Sequence, residues 1–112
     1  MQKKDCQVTS NDKYKVRITD EALAEIEQAA KWYEERREGL GRGFKERISE
    51  IIDTRIQSDV IIYGPVFQGL SRIFLKTFPY NIYFRKDKSA GIISIYGVLH
   101  VKQDRTQLED RI

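Results

Sequence analysis

Cysteine and histidine are nearly absent from this sequence, which has one of each, Cys6 and His100. A single cysteine cannot form a disulfide within the chain, and a lone histidine leaves too few nitrogen and sulfur ligands for a zinc site. No apolar run approaches the roughly 20 residues that cross a bilayer, and residues 1–13 lack the apolar centre of a secretory signal. We therefore expect a cytoplasmic protein with no metal, no other cofactor and no membrane partner.

The chain is short and mildly basic. Its 112 residues and 13.2 kDa suffice for one compact core but not for separate cofactor and substrate domains. The net charge of +3 and the sequence pI near 9.0 favour an acidic partner, although a solvated basic surface without such a partner has the same composition. Charge alone leaves these two interpretations open.

Hydrophobic periodicity divides the chain into elements. Residues 1–13 are polar and aperiodic, which predicts a flexible N-terminal extension ahead of a single domain over residues 14–112. Alternation over residues 14–19 indicates a strand, and Thr19 or Asp20 can cap the helix that follows. The predicted apolar stripe of this helix consists of Leu23, Ile26, Ala30 and Tyr33.

A glycine turn, a second helix and three strands complete the pattern. Gly39 or Gly41 can end the first helix, and residues 42–57 form a second helix antiparallel to it. From Gly64 onwards the period is that of strands. The order strand, helix, helix, strand, strand, strand predicts an α+β domain with the helical hairpin packed on one face of an antiparallel-rich sheet. Six apolar strand residues cannot all be exposed without inviting aggregation, so some of them are expected in the core: Ile73, Leu75, Ile82, Phe84, Ile93 and Ile95.

Three stretches carry a resemblance to a known family: AAKWYEERREGLGRGFKERI in the helical hairpin, LKTFPYNIYFRKD in the middle strands and IYGVLH in the last strand. In this order and spacing, from about Tyr14 to Arg111, they resemble the RelE/ParE superfamily of bacterial toxins, of the plasmid-stabilisation type. The resemblance implies a growth-inhibiting toxin of a type II toxin–antitoxin (TA) system, neutralised by a cognate antitoxin encoded nearby.

Residues that would cleave RNA separate the two branches of this family. In the RelE branch, lysines and arginines of the sheet cut messenger RNA on the ribosome, where cations stabilise the charged phosphorane. Arg72 stands at one such basic position, but Phe74, Asn81 and Gln103 stand where that branch has basic residues. The chain therefore resembles the ParE branch more closely, which implies DNA gyrase as the target. A RelE-like ribosome-dependent mRNA endoribonuclease and an inactive toxin-derived binding module are the alternatives.

Strand parity predicts which candidate residues share a sheet face. The pairs expected on a common cationic and aromatic face are Arg72 with Lys76, Tyr83 with Arg85, and Tyr96 with His100. The candidate catalytic residues are Arg72, Lys76, Arg85, His100 and Lys102. The candidate antitoxin- or target-binding residues are Arg72, Lys76, Tyr83, Arg85 and Tyr96. Such a face could stack and pair with RNA. The alternative interpretation is a solvated sheet face with a purely structural histidine.

Overall fold

The computed structural model describes residues 14–58 and 64–111. The predicted N-terminal extension, residues 1–13, lies outside the described residues. The strands and longer helices are β1 (Lys15–Ile18), α1 (Asp20–Arg36), α2 (Leu40–Ile51), β2 (Ser71–Phe74), β3 (Tyr80–Asp87) and β4 (Ile92–His100). A π-helical turn (Ile52–Ile56) extends α2, and a C-terminal 3₁₀ helix (Arg105–Arg111) follows β4.

The four strands form one sheet in the order β1-β4-β3-β2. β1 pairs with β4 in parallel, whereas β3 pairs antiparallel with both β4 and β2. The hairpin of α1 and α2 packs on one side of the sheet, termed the helix face, and the opposite side is termed the outer face. This arrangement confirms the predicted α+β class, the element order and the antiparallel-rich sheet.

The main core lies between the helical hairpin and the helix face of the sheet. Phe44 of α2 is fully buried there. The sequence placed some of six apolar strand residues in the core, and the structure buries all of them: Ile73, Leu75, Ile82, Phe84, Ile93 and Ile95. All six belong to the core cluster between the helices and the sheet.

The predicted apolar stripe of α1 is wrong at Leu23, which is 47% exposed. The buried residues of the helix are the predicted Ile26 and Ala30 together with Ala22 and Ala29. Alanine side chains are small, so they let α1 lie close to the sheet and to α2. The contact stripe is consequently rotated away from the larger Leu23.

The two helices use different N-terminal caps. Of the two predicted caps, Thr19 and Asp20, it is Thr19 that caps α1, since its Oγ1 accepts a hydrogen bond from the Ala22 N–H at 3.2 Å. α2 starts after Gly39, which has a φ of +88° and no side chain to act as a cap. Glu34 of α1 supplies the missing acceptors, because its two carboxylate oxygens accept from the N–H groups of Gly39 and Gly41, each at 2.9 Å. These bonds lower the pKa of Glu34.

The turn between the helices brings two backbones into contact at Gly41. A Cβ atom placed on Gly41 would lie 2.5 Å from the Ala30 carbonyl oxygen, closer than such atoms approach. The next glycine of α2, Gly43, has no atom within 4 Å of its own Cβ position. Helix packing therefore requires a glycine at the first position and not at the second.

The second helix differs from the predicted residues 42–57 in its start and in its final turn. It begins at Leu40 and ends in the π-helical turn, where the Gln57 N–H donates to the Ile52 carbonyl at 2.9 Å. The wide turn carries the Gln57 side chain to the first residue before β1. There its Oε1 accepts from the Tyr14 N–H and its Nε2 donates to the Tyr14 carbonyl, both at 3.0 Å. The helical hairpin is thereby tied to the edge of the sheet.

β4 contains a β-bulge at Tyr96. Neighbouring residues of β3 register with Ile95 and with Gly97, so Tyr96 has no register partner there. Ile95 belongs to the helix-face core before the bulge, and Val98 belongs to it after the bulge. Side-chain alternation is therefore shifted by one residue in the second half of β4.

A Gly41→Ala variant is expected to lose about 2 kcal/mol of stability, because its methyl group forces the two helix backbones apart. The matched Gly43→Ala variant is expected to gain up to about 1 kcal/mol, since alanine favours the helix and restricts the unfolded chain. Urea unfolding of both variants beside the parent protein measures these changes. Equal stability of the two variants would contradict the close contact at Gly41.

A Glu34→Gln variant is expected to lower the free energy of unfolding at neutral pH, because glutamine lacks the second acceptor oxygen and the charge. The folded pKa of Glu34 lies below its ordinary value of 4.5. The stabilisation is therefore complete above the unfolded pKa and is lost as the pH falls through the folded pKa. Urea unfolding from neutral to acid pH, with Glu35→Gln as the control, should show a difference that vanishes in acid. A pH-independent difference would refute this role.

Candidate binding pocket and outer sheet face

A pocket opens between α1, the turn before β3 and the end of β4. Its volume is ≈ 660 Å³, within the roughly 300–1,000 Å³ of typical ligand pockets. Aromatic rings alternate in its walls with amide, carboxylate and imidazole groups. The residues that line this α1–β4 pocket are Glu25, Gln28, Ala29, Trp32, Tyr33, Pro79, Tyr80, Val98, His100 and Gln103.

α1 forms one wall because its lining residues fall at helical spacing. Glu25, Gln28 and Trp32 are three and four positions apart, which places them on one side of the helix. Trp32 is 49% exposed, although tryptophan is highly buried on average. The Arg36 guanidinium lies 4.3 Å from its ring centroid, and the Tyr33 ring stands edge-on at 5.1 Å. These contacts orient an indole that a ligand can reach.

Tyr33 and Tyr80, which line the pocket, belong to an aromatic cluster centred on Tyr33. The Tyr33 ring centroid lies 4.9 Å from that of Phe78, 5.4 Å from that of Phe44 and 6.2 Å from that of Tyr80. Tyr80 in turn stands edge-on to the imidazole of His100 at 5.2 Å. Burial raises the pKa of both Tyr33 and Tyr80 above their ordinary value of 10.0. Both hydroxyls therefore act as neutral hydrogen-bonding groups at physiological pH.

His100 is held by the turn that follows β4. Its Nδ1 accepts from the Lys102 backbone N–H at 3.1 Å, and its own backbone N–H donates to Gln103 Oε1 at 2.7 Å. A neutral imidazole therefore carries its proton on Nε2, where it can donate to a ligand. Within residues 14–58 and 64–111, no carboxylate bonds to the imidazole. His100 thus lacks the orienting partner of a catalytic base.

Glu25 is a lining residue that the sequence analysis missed. Its Oε1 accepts from the Val98 N–H at 3.0 Å, and its Oε2 pairs with Arg111 Nη2 at 2.9 Å. Arg111 also donates from Nη1 to the Tyr96 carbonyl at 3.3 Å. The network joins the pocket wall, the β4 bulge and the C-terminal 3₁₀ helix. Periodicity gave no signal for it, because Glu25 occupies an ordinary polar position of an amphipathic helix.

The prediction that Tyr96 and His100 share a sheet face is wrong. Residues four apart in a regular strand face the same side, but the bulge shifts the alternation between these two. Tyr96 packs against the outer-face cluster that contains Leu99, whereas His100 lines the α1–β4 pocket on the helix face. The two side chains cannot act on one ligand from a common surface.

Arg72 and Lys76 do not share a strand face either. β2 ends at Phe74, and Lys76 lies in the following turn with a left-handed φ of +70°. Arg72 is exposed on β2 in register with Tyr83 of β3. Tyr83 itself is only 4% exposed, so it is a core residue and not the surface contact that was predicted.

The outer face of the sheet is partly covered by a helix that the sequence analysis did not predict. Leu108 of the C-terminal 3₁₀ helix is fully buried and packs in one cluster with Tyr83 and Leu99. The open part of this face carries Arg85, whose guanidinium lies 5.6 Å from the Tyr96 ring centroid. Tyr83 and Arg85 do share the outer face as predicted. The Tyr83 side chain is buried there against Leu108, whereas the Arg85 side chain is exposed.

The five candidate catalytic residues do not converge on one point. Arg72 and Arg85 belong to the outer face, His100 lines the pocket on the helix face, and Lys76 and Lys102 lie in turns. The sheet therefore separates the imidazole from the two arginines. Within the described ranges, no group of three or more His, Cys, Asp or Glu side chains could hold a metal ion.

Two solved structures are similar to this chain in fold. The chain is similar to the chromosomal ParDE TA system from P. aeruginosa, with a TM-score of 0.62 and 13% identity over 80% of this chain and 97% of that chain. It is also similar to the isolated E. coli RelE toxin, with a TM-score of 0.51 and 11% identity over 87% of this chain and 94% of that chain. No protein-family model and no curated protein matches the sequence. The chain thus has the RelE/ParE fold that its motifs implied.

In the part of the chain that the structure describes, no helix is long and apolar enough to cross a membrane.

Proposed function

We propose that this chain is the toxin of a type II TA system and that it acts in the bacterial cytoplasm. It inhibits growth in the manner of the ParE branch, by binding a protein target such as DNA gyrase. The fold shared with the ParDE and RelE structures supports the toxin assignment. The motifs of the helical hairpin and of the middle strands support it independently.

The candidate catalytic groups lie far apart in the fold, and this observation favours protein binding over RNA cleavage. Cleaving RNA without a metal requires a base, an acid and cations around one phosphate. Here the imidazole of His100 and the guanidinium groups of Arg72 and Arg85 lie on opposite faces of the sheet. Phe74 and Asn81 add no cation to either face. A binding function demands no such convergence.

The α1–β4 pocket supplies the kind of surface that protein partners use. Binding energy concentrates on tryptophan, tyrosine and arginine side chains that fill or line a pocket. Trp32, Tyr33 and Tyr80 line the pocket, and the Arg36 guanidinium lies over the Trp32 ring. A partner that inserts an apolar side chain gains contact with these rings, and the His100 Nε2–H and the Gln28 amide can bond its backbone.

The cognate antitoxin, encoded nearby, is the first partner assigned to this pocket. An acidic segment that folds on binding suits a chain of net charge +3 and can lay a helix along α1 beside the hairpin. The binding then shields Trp32 from the growth target. Arg72 and Lys76, which are both exposed, are further candidate contacts for the antitoxin.

Expression of the chain alone in a bacterium is expected to reduce colony counts, with gyrase-linked DNA breaks, filamentous cells and no new 5′ ends in messenger RNA. The absence of RNA cleavage follows from the separated catalytic groups. Plating, pulsed-field gels and primer extension measure these outcomes. New 5′ ends at the ribosomal A site would instead establish the RelE-like alternative. Unchanged viability at confirmed soluble expression would favour the inactive binding module.

Co-expression with the neighbouring open reading frame is expected to yield a stable complex and a higher melting temperature, because a partner that binds the folded state stabilises it. Trp32→Ala should weaken this complex by about 2 kcal/mol. Leu23→Ala is the matched control, since Leu23 is similarly exposed on α1 but does not line the pocket. Titration calorimetry measures both variants. Equal affinities would exclude the pocket as the antitoxin site.

A further inference from the structure

Three side-chain hydrogen-bond donors of the α1–β4 pocket are open to a ligand. The Tyr80 ring centroid lies 6.2 Å from that of Tyr33 and 5.2 Å from that of His100, and all three residues line the pocket. The His100 Nδ1 accepts from the Lys102 N–H, so the Nε2–H on the far side of the ring is left for a ligand. Among the described residues, neither tyrosine hydroxyl has a hydrogen-bond partner, and neither is buried.

The two tyrosine hydroxyls lie close enough to act on one ligand. Burial raises the pKa of Tyr33, and repulsion between its ionised form and that of Tyr80 raises it further. The two groups are therefore neighbours, and both keep their protons at physiological pH. Gln103 lines the same pocket and uses its Oε1 to accept from the His100 N–H, which directs its NH₂ group outward as a further donor.

The charges around the pocket favour an anion. Glu25, a carboxylate in its wall, is neutralised by Arg111, whose Nη2 lies 2.9 Å from Glu25 Oε2. The exposed Arg36 guanidinium lies 4.3 Å from the Trp32 ring centroid and has no ion-pair partner in the part of the chain that the structure describes. Several neutral donors beside one unpaired cation suit a group with a single negative charge.

We propose that Tyr33, Tyr80 and His100 bind the carboxylate of an aspartate or glutamate side chain of the antitoxin. A carboxylate accepts up to about four hydrogen bonds on its two oxygens, so the two hydroxyls and the Nε2–H can share it. Hydrogen bonds to an ionised acceptor are stronger than those to a neutral one. The pocket is also large enough for an apolar side chain beside the carboxylate, in contact with Trp32. The identity of the partner rests on the proposed function, whereas the preference for a carboxylate is a property of this chain alone.

The test uses Trp32 as a reporter, because it is the single tryptophan of the chain and lines the pocket. Its fluorescence is followed while the full chain is titrated with a blocked leucine–glutamate–leucine tripeptide and with the glutamine analogue of that peptide. The glutamate peptide should bind about tenfold more tightly, because only its side chain is charged. Equal affinities, or no fluorescence change with either peptide at millimolar concentration, would overturn the proposal. Tighter binding of phenylacetate than of the glutamate peptide would replace the antitoxin with a small organic acid.

Tyrosine-to-phenylalanine variants keep the rings and remove only the donors. Tyr33→Phe and Tyr80→Phe should each weaken binding of the glutamate peptide about fivefold and weaken binding of the glutamine peptide less. Tyr96→Phe is the matched control, since Tyr96 packs in the outer-face cluster, and it should leave both affinities unchanged. Thermal unfolding checks that each variant is folded. An undiminished preference for the glutamate peptide in both pocket variants would refute the site.

The partner is tested separately with the product of the neighbouring open reading frame. The chain that carries both Tyr33→Phe and Tyr80→Phe should bind this protein at least about tenfold more weakly than the parent chain. An unchanged affinity would exclude its carboxylates as the occupants of the pocket. A chain that does not inhibit growth but still prefers the glutamate peptide would contradict the proposed function and leave the carboxylate site intact.

Discussion

The extra residue in β4 is the constraint on which the rest of the structure depends. Before the bulge at Tyr96, odd-numbered residues of the strand face the helices, and after it even-numbered residues do. The shift brings Val98 and His100 beneath α1 and turns Leu99 towards the C-terminal 3₁₀ helix. A strand without the bulge would reverse these positions and bury the imidazole against Leu108. The pocket and the covered outer face are two results of one local irregularity.

Glu25 is the side chain that makes the irregularity stable. β1 pairs with β4 only as far as Ile95, so β1 offers no carbonyl to the Val98 N–H. The Glu25 carboxylate accepts this hydrogen bond instead. Arg111 then neutralises that carboxylate and also donates to the Tyr96 carbonyl within the bulge. Because both side chains are mostly buried, their charges interact more strongly than they would in water. The last residues of the chain thus hold the wall of a pocket on the other side of the sheet.

Local patterns in the sequence were sufficient for the order of the elements and for the strand core. The start of α1 followed from a hydroxyl at Thr19, and β3 spans the residues YNIYFRKD that its alternation marked. The failures have a common cause, which is that contacts distant in sequence altered a local rule. The bulge at Tyr96 is stabilised by Glu25, 71 positions earlier, and the π-helical turn ends in a bond between Gln57 and Tyr14. The candidate site was predicted less well than the fold, since strand parity cannot be carried across a bulge.

The bond between Gln57 and Tyr14 has a consequence for how the protein behaves in solution. β1 is an edge strand, and the Lys15 N–H points inward to Gly91, so the polar groups of Tyr14 point outward. The Gln57 side-chain amide occupies both of those groups as the backbone of a fifth strand would. An incoming strand from a second molecule therefore finds the residue ahead of β1 already paired, and only the four residues Lys15–Ile18 are left as a template. The buried Gln57 side chain thus reduces the number of unpaired backbone groups at which a second sheet could extend this one.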